Sequence, residues 1–291
     1  MPVDPALAEL LRAFGEGDDF DVARARAALD EFAQLVGGPA PGADARDAQV
    51  AGVPVRRYLP SGPARGPEVV WCHGGGFVTG SLDAVDPMCR EVLTRTGAPL
   101  TSVDYRLAPE HPFPAALEDC TAVLRAVAAQ GPVVVAGDSA GGGLAAAACL
   151  QVRGEGLPVL GQLLVTPLVD ATLSCPSISE LATGFGLTRD ALVQFVTLYL
   201  DGADPRDPRC SPLLARDLAG LPPAVVVTAE CDPLRDEGET YARRLADAGV
   251  PVAVRRFDGM VHGFVGMSDV TPVAGEALDW MVDELIRLVA S

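Results

Sequence analysis

A chain whose apolar residues come in short unbroken blocks has few folds open to it. Here the blocks are PEVVWC (67–72), PLTSVD (99–104), PVVVAG (132–137), GQLLVTP (161–167), AVVVTAE (224–230) and PVAVRRF (251–257), preceded by VPVRRYLP (53–60). Several lack the in-and-out alternation of a half-exposed strand, as strands buried on both faces of a parallel sheet do. Stretches with helical spacing lie near 84–96, 114–129, 140–153, 235–248 and 272–289. Strand and helix in alternation predict an α/β fold, a mostly parallel central sheet with helices on both faces. VPVRRYLP reads as an edge strand, and PVAVRRF as an exposed last strand.

Two segments break the alternation. Residues 1 to about 45 read as one or two helices, LAELLRAF and VARARAALDEFAQLV, ended by Gly37-Gly38-Pro39, with GGPAPGADARDA as a loop. Residues 171–215 carry one helix near 188–200 between Pro-rich flanks, and no obvious strand. An insertion between strands lands on a rim of the sheet. Together with residues 1–45, the insertion at 171–215 is expected to form a helical cap on a main domain of residues 46–291.

Composition removes several function classes. Residues that are 49% apolar exclude a disordered chain. No apolar run is long enough to span a membrane, and the acid-bearing start does not read as a secretory leader, so the expected location is cytoplasmic. With 22 basic against 39 acidic residues, the net charge of −17 disfavours nucleic acid as a partner. Every basic residue is Arg. Without Lys there is no Walker-type phosphate lysine, no Schiff base and no Ser-Lys dyad. The cysteines, 7 in number, form no C-x-x-C pair; they read as buried small hydrophobes, with no metal site or disulfide framework.

Gly137-Asp138-Ser139-Ala140-Gly141 matches G-x-S-x-G, with PVVVAG before it and an Ala/Gly-rich helical stretch after it. A strand-to-helix turn is the setting of a nucleophile elbow, where side chains two positions either side of the Ser would clash. The overlapping G-x-G-x-x-A at 141–146 could be a dinucleotide fingerprint. The strand after it, GQLLVTP, ends without the acid that such a site needs. Only 3 histidines exist, and of them only His262 follows Ser139, as the Ser, acid, His order of α/β-hydrolases demands of the base. The acid is sought at a strand end between them: Asp232, with Glu230 and Asp236 as alternatives. His73-Gly74-Gly75-Gly76 follows another strand, and its main-chain N–H groups, joined by that of Ala140, are placed to hold a substrate oxyanion. His73 itself reads as a structural brace of that loop.

HGGGF (73–77), DYRLAPEHPFPAALED (104–119), GDSAGG (137–142), DPLRDE (232–237) and HGF (262–264) stand in the order seen in the hormone-sensitive-lipase-like bacterial esterases, and the chain resembles that family from about residue 50 onward. The resemblance implies an α/β-hydrolase core with a helical cap, no cofactor and no metal. It implies a catalytic triad of Ser139, Asp232 and His262, and an oxyanion hole of Gly75, Gly76 and Ala140, with Gly74 a further possible donor. The segment 104–115, with Glu110 and His111, is a hallmark of the family expected to brace the floor of the site. The expected activity is hydrolysis of short-to-medium acyl esters through an acyl-enzyme, by a monomer or homodimer whose partner is a small-molecule ester. A natural-product deacetylase or amidase would use the same triad, and a ligand receptor on a dead hydrolase fold is the remaining alternative. Phe14, Phe20, Phe32, Phe77, Phe185, Phe195 and Tyr199 are candidate walls of an apolar acyl pocket.

Overall fold

The computed structural model describes residues 2–14, 21–36 and 43–289. Two helices, α1 (Pro5–Phe14) and α2 (Val22–Val36), precede a strand pair, β1 (Ala43–Val50) and β2 (Val53–Pro60). Then follow β3 (Glu68–Cys72), α3 (Leu82–Thr96), β4 (Leu100–Val103), α4 (Ala115–Ala128), β5 (Val133–Asp138), α5 (Ala140–Val152) and β6 (Val159–Val165). The short α6 (Pro176–Glu180) and α7 (Arg189–Leu200) come next, and β7 (Ala224–Cys231), α8 (Arg235–Asp247), β8 (Val252–Val261) and α9 (Pro272–Val289) complete the chain.

The strands form one sheet in the order β1-β2-β4-β3-β5-β6-β7-β8. The β1–β2 and β2–β4 pairs are antiparallel, and every other neighbour pair is parallel. Successive residues of a strand serve opposite faces. Val69, Trp71, Val134, Ala136, Val225 and Val227 pack into one core with α3 and α9. Their neighbours Val70, Cys72, Val133, Val135 and Val226 pack into the other with α4, α5 and α8. Both faces need apolar residues, and this is why the strand sequences do not alternate. Helix α5 has no polar face because most of its length is buried against the sheet.

Two sequence expectations are corrected at the sheet edge. VPVRRYLP is not the edge: β2 lies between β1 and β4. The outer strand is β1, within a stretch expected to be loop, and it starts inside the first 45 residues expected to be cap helices. Its sequence ADARDAQV is mostly exposed, with three charges among small and polar residues, so it shows no apolar signal. Its pairing with β2 registers Asp47 against Arg56, and those side chains form an ion pair at 2.7 Å. Charges on a strand with one free side keep that edge from pairing with other chains. At the opposite edge β8 runs to Val261, beyond the predicted 257. The Gly37-Gly38-Pro39 stop falls outside the described residues. Residues 171–215 hold α6, α7 and a 3-10 turn at Pro212–Leu214, with no strand.

Candidate active site

Because β3, β5, β7 and β8 run parallel, their carboxyl ends open on the same rim of the sheet, where α/β folds place their ligands. Each predicted site segment begins at one of those ends. Gly74–Gly76 lie just past β3, Ser139 directly after β5, Asp232 directly after β7 and His262 directly after β8.

Ser139 sits in a turn so sharp that its own backbone is held at φ 53, ψ −123, a region costing about 1–3 kcal/mol for a non-glycine residue. Three main-chain bonds keep it there. Its N–H donates to Val165 O at 2.8 Å, and its carbonyl accepts from Leu168 N at 2.9 Å and Gly143 N at 3.2 Å. The flanking glycines are obligatory. A Cβ on Gly141 would stand 2.0 Å from Cys72 O, and one on Gly137 would stand 2.4 Å from Gly141 O. The Leu168 turn is itself pinned by Glu237 on α8, a fully buried carboxyl whose Oε1 accepts from Val169 N at 2.6 Å and Asp170 N at 3.1 Å.

The Ser139 hydroxyl and the His262 ring meet at 2.9 Å, Oγ to Nε2, and the ring's Nδ1 lies 2.8 Å from Asp232 Oδ2. An ionised carboxylate only accepts, so Nδ1 carries the proton and Nε2 presents its lone pair to the Ser139 O–H. Asp232 is fully buried, and its other oxygen accepts from Leu234 N at 2.8 Å. Burial pulls the His262 pKa down, but the charge of Asp232, its hydrogen bond and the charge of Asp138 outweigh burial and leave it raised above 6.5. The alternative acids face elsewhere. Glu230 accepts from Gly259 N at 2.7 Å, and Asp236 accepts from Ser177 N at 2.9 Å and pairs with Arg235.

The loop 73–76 is fixed one peptide at a time. In a trans peptide the C=O and N–H point in opposite directions, so each pinned carbonyl aims the next N–H. Tyr105 Oη donates to His73 O at 2.8 Å. His73 Nδ1 donates to Gly74 O at 2.7 Å. Gly75 O accepts from Thr79 N and Thr79 Oγ1, both at 2.8 Å, and from Val78 N at 3.1 Å. With those carbonyls turned outward, the N–H groups of Gly75 and Gly76 are free to face the cleft. Gly74, a further possible donor in the sequence, packs against the Asp138 carboxylate, so closely that a Cβ there would stand 2.3 Å from Asp138 Oδ2. His73 stacks on Tyr105 with ring centroids 4.2 Å apart, and burial pulls its pKa down to about 4, so it braces the loop as a neutral ring.

The hallmark segment 104–115 reaches the site through Tyr105 and through Ala108 N, which donates to Phe77 O at 3.0 Å. Glu110 turns outward instead, to Arg26 of α2, at 2.7 and 2.9 Å. That guanidinium also donates to Val78 O at 2.9 Å and Ala108 O at 3.1 Å, tying α2 to the loop beyond the glycines.

A cavity of about 870 Å³ opens on Ser139 and His262. Its walls are mostly apolar, drawn from α1 and α2 (Leu10, Leu29), α3 (Met88), α7 and the segment before it. Of the predicted aromatics, Phe32, Phe185 and Phe195 line it. Phe77 and Tyr199 do not; they stack on each other at 3.8 Å in the core. Phe20 and the side chain of Phe14 lie outside the described residues. Among the described residues no cluster of His, Cys, Asp or Glu has the arrangement of a metal site, and no helix is long and apolar enough to cross a membrane.

A family model described as the alpha/beta hydrolase fold matches residues 69–266, more than half of the chain. The chain belongs to this family. Within it, its place is among the hormone-sensitive-lipase-like esterases, as the motifs led us to expect. This α/β-hydrolase is 40% identical to the carboxylic ester hydrolase LipN of Mycobacterium tuberculosis over 91% of its own length and 77% of the relative's. The hyperthermophilic esterase of Pyrobaculum calidifontis superposes with a TM-score of 0.92 at 36% identity, covering 100% of both chains. A hormone-sensitive lipase from a metagenome library superposes with a TM-score of 0.91 at 31% identity, covering 99% of both.

Proposed function

We propose that this α/β-hydrolase cleaves carboxylic esters by two-step acyl transfer, with Ser139 as nucleophile, His262 as general base and Asp232 as the acid that orients it. The observation that carries this reading is the hydrogen-bonded line Ser139–His262–Asp232, at 2.9 and 2.8 Å, ending in the floor of an apolar cavity. The names of LipN and the Pyrobaculum enzyme point to the same chemistry.

His262 takes the Ser139 proton at Nε2 as Oγ attacks the ester carbonyl. Asp232 holds the Nδ1 proton in place and stabilises the imidazolium that forms. The carbonyl oxygen, now an oxyanion, lies against the N–H groups of Gly75, Gly76 and Ala140, and loss of one such donor costs about 3–4 kcal/mol of transition-state stabilisation. The imidazolium protonates the departing alkoxide, and water, deprotonated by the same ring, releases the acid from Ser139. The walls carry almost no charge, so neutral esters of short-to-medium acyl chain are the substrates that fit. Helices α1 and α2 and the 171–215 insertion together form the cap. All cysteines are free, supporting a reducing, cytoplasmic setting.

Ser139→Ala, folded by circular dichroism, is expected to lose p-nitrophenyl butyrate hydrolysis by at least about 10³-fold. A fluorophosphonate probe is expected to label the wild type at Ser139. Turnover by the variant within tenfold of wild type would overturn the assignment.

A further inference from the structure

Asp138 stands between the nucleophile and the loop that faces it, and the mechanism above gives it no part. It ends β5, one residue before Ser139. The β3–β5 register pairs Trp71 with Ala136 and Cys72 with Gly137. The next residues of both strands, where each leaves the sheet, are therefore side by side. Across that gap the Asp138 carboxylate meets two groups of the β3 side. One is the indole N–H of Trp71, a fully buried residue, at 3.1 Å to Oδ1. The other is Gly74, the first glycine of the loop, which packs directly on the carboxylate. The approach is so close that a Cβ on Gly74 would stand 2.3 Å from Asp138 Oδ2 and 3.2 Å from its carbonyl oxygen.

We propose that Asp138 is a positioning residue that anchors the Gly74–Gly76 loop to the nucleophile elbow, so that the oxyanion donors and Ser139 move as one piece. The proposal rests on the reading of Ser139, His262 and the loop given above. Its physical content is a matter of registry. Tyr105, His73 and Thr79 fix how the loop's peptides are turned, but all three belong to the β3 side or to segments packed on it. Of the loop's contacts with β5, the Asp138 carboxylate is the one side chain that reaches it from the residue next to the nucleophile. A hydrogen bond from a neutral N–H, here the Trp71 indole, to a carboxylate is stronger than one to a neutral acceptor, and the close packing of Gly74 on the same carboxylate sets the loop's distance from the elbow.

The charge of the same carboxylate also bears on the base. The groups that bear on His262 are Asp232 from the loop after β7 and Asp138 from the end of β5, and both raise its pKa. The groups that bear on Asp138 are Trp71, His262, Gly74 and its own main-chain N–H. Burial pushes its carboxyl up to about 6 against their combined pull. An ionised Asp138 therefore makes His262 more basic, an effect that a purely mechanical tether would lack.

Asp138→Asn keeps the size of the side chain and one acceptor but removes the charge. Its kcat for p-nitrophenyl butyrate is expected to fall about 10- to 100-fold, less than outright loss of an oxyanion donor, with KM within about threefold. The acid limb of its kcat/KM–pH profile is expected to move to lower pH, because His262 loses one of two neighbouring negative charges. Asp138→Glu keeps the charge but lengthens the arm. It is expected to lose kcat with the acid limb in its wild-type place, and it serves as the readout if the Asn variant does not fold. A kcat within twofold of wild type in either variant overturns the proposal. So does a slower Asn variant whose acid limb has not moved, since that marks general loosening of the site. Ser139→Ala is measured alongside: if it stays active, the failure belongs to the assignment of the nucleophile. If it is inactive while the Asp138 variants behave as wild type, only the anchoring role fails.

Discussion

Gly75→Ala tests how rigidly the loop facing Ser139 is held. Gly75 has φ +119, and a Cβ there would stand 2.2 Å from Thr79 O and 2.5 Å from Thr79 C. Carbon and carbonyl oxygen normally keep at least about 3.3 Å apart, so something must yield by about 1 Å. Thr79 is poorly placed to retreat, because its N–H and hydroxyl are both bound to Gly75 O. The loop gives way instead. A shift of about 1 Å takes an N–H···O bond from about 2.9 Å to a distance at which it no longer counts as one. Loss of one oxyanion donor corresponds to about 10²–10³ in kcat. The strained backbone adds about 1–3 kcal/mol of destabilisation, and overpacking a comparable amount, so Tm is expected to drop by several degrees. The assay is kcat and KM on p-nitrophenyl butyrate, with thermal unfolding followed by circular dichroism. Gly131→Ala, where nothing lies within 4 Å of the added Cβ, is the control. A Gly75→Ala enzyme with kcat within threefold of wild type and an unchanged Tm would refute the rigid-loop reasoning.

Three further outcomes follow from the same geometry. Because a general base must be neutral and His262 is raised above 6.5, kcat/KM should climb with pH through a midpoint above that value; a flat profile from pH 5 to 8 rules out a His base. The sign for stability is opposite: protonating His262 favours the fold, a contribution present below about 6.5 and lost as pH rises through the folded-state value. Tyr105→Phe deletes the donor to His73 O in a buried setting, so it should cost about 1–3 kcal/mol of stability and lower kcat more than it changes KM; wild-type values for both would remove Tyr105 from the support of the loop. Arg26→Ala cuts the tie between α2 and both Val78 O and Glu110. We expect faster trypsin cleavage near the N-terminus and a higher KM, whereas unchanged proteolysis and KM would mean that α2 is held without it.

The strands and helices that build the sheet were readable because their pattern has a local cause: a strand covered on both faces must be apolar throughout, whichever helices do the covering. β1 was not readable for the same reason. An exposed edge strand needs no apolar residues, and ADARDAQV is held by its ladder and one ion pair with β2. The pocket aromatics divide along this line as well. Phe32, Phe185 and Phe195 reach the cavity while Phe77 and Tyr199 pack together, and composition around each does not distinguish them.

Chain order and local motif were enough to point to Ser139 and His262 and to narrow the acid to Asp232, Glu230 or Asp236, because an elbow glycine spacing and a base following the nucleophile are linear properties. Which groups stand beside them is not. Asp138 and Glu237 stand in the GDSAGG and DPLRDE motifs, but nothing in either motif says what their carboxylates touch. They matter because parallel strands far apart in the chain finish on one rim, bringing the Asp138 carboxylate against Gly74 and Glu237 to the turn beneath Ser139. Covalent order specifies the reactive groups. Their orientation depends on distances between loops that only the closed sheet defines.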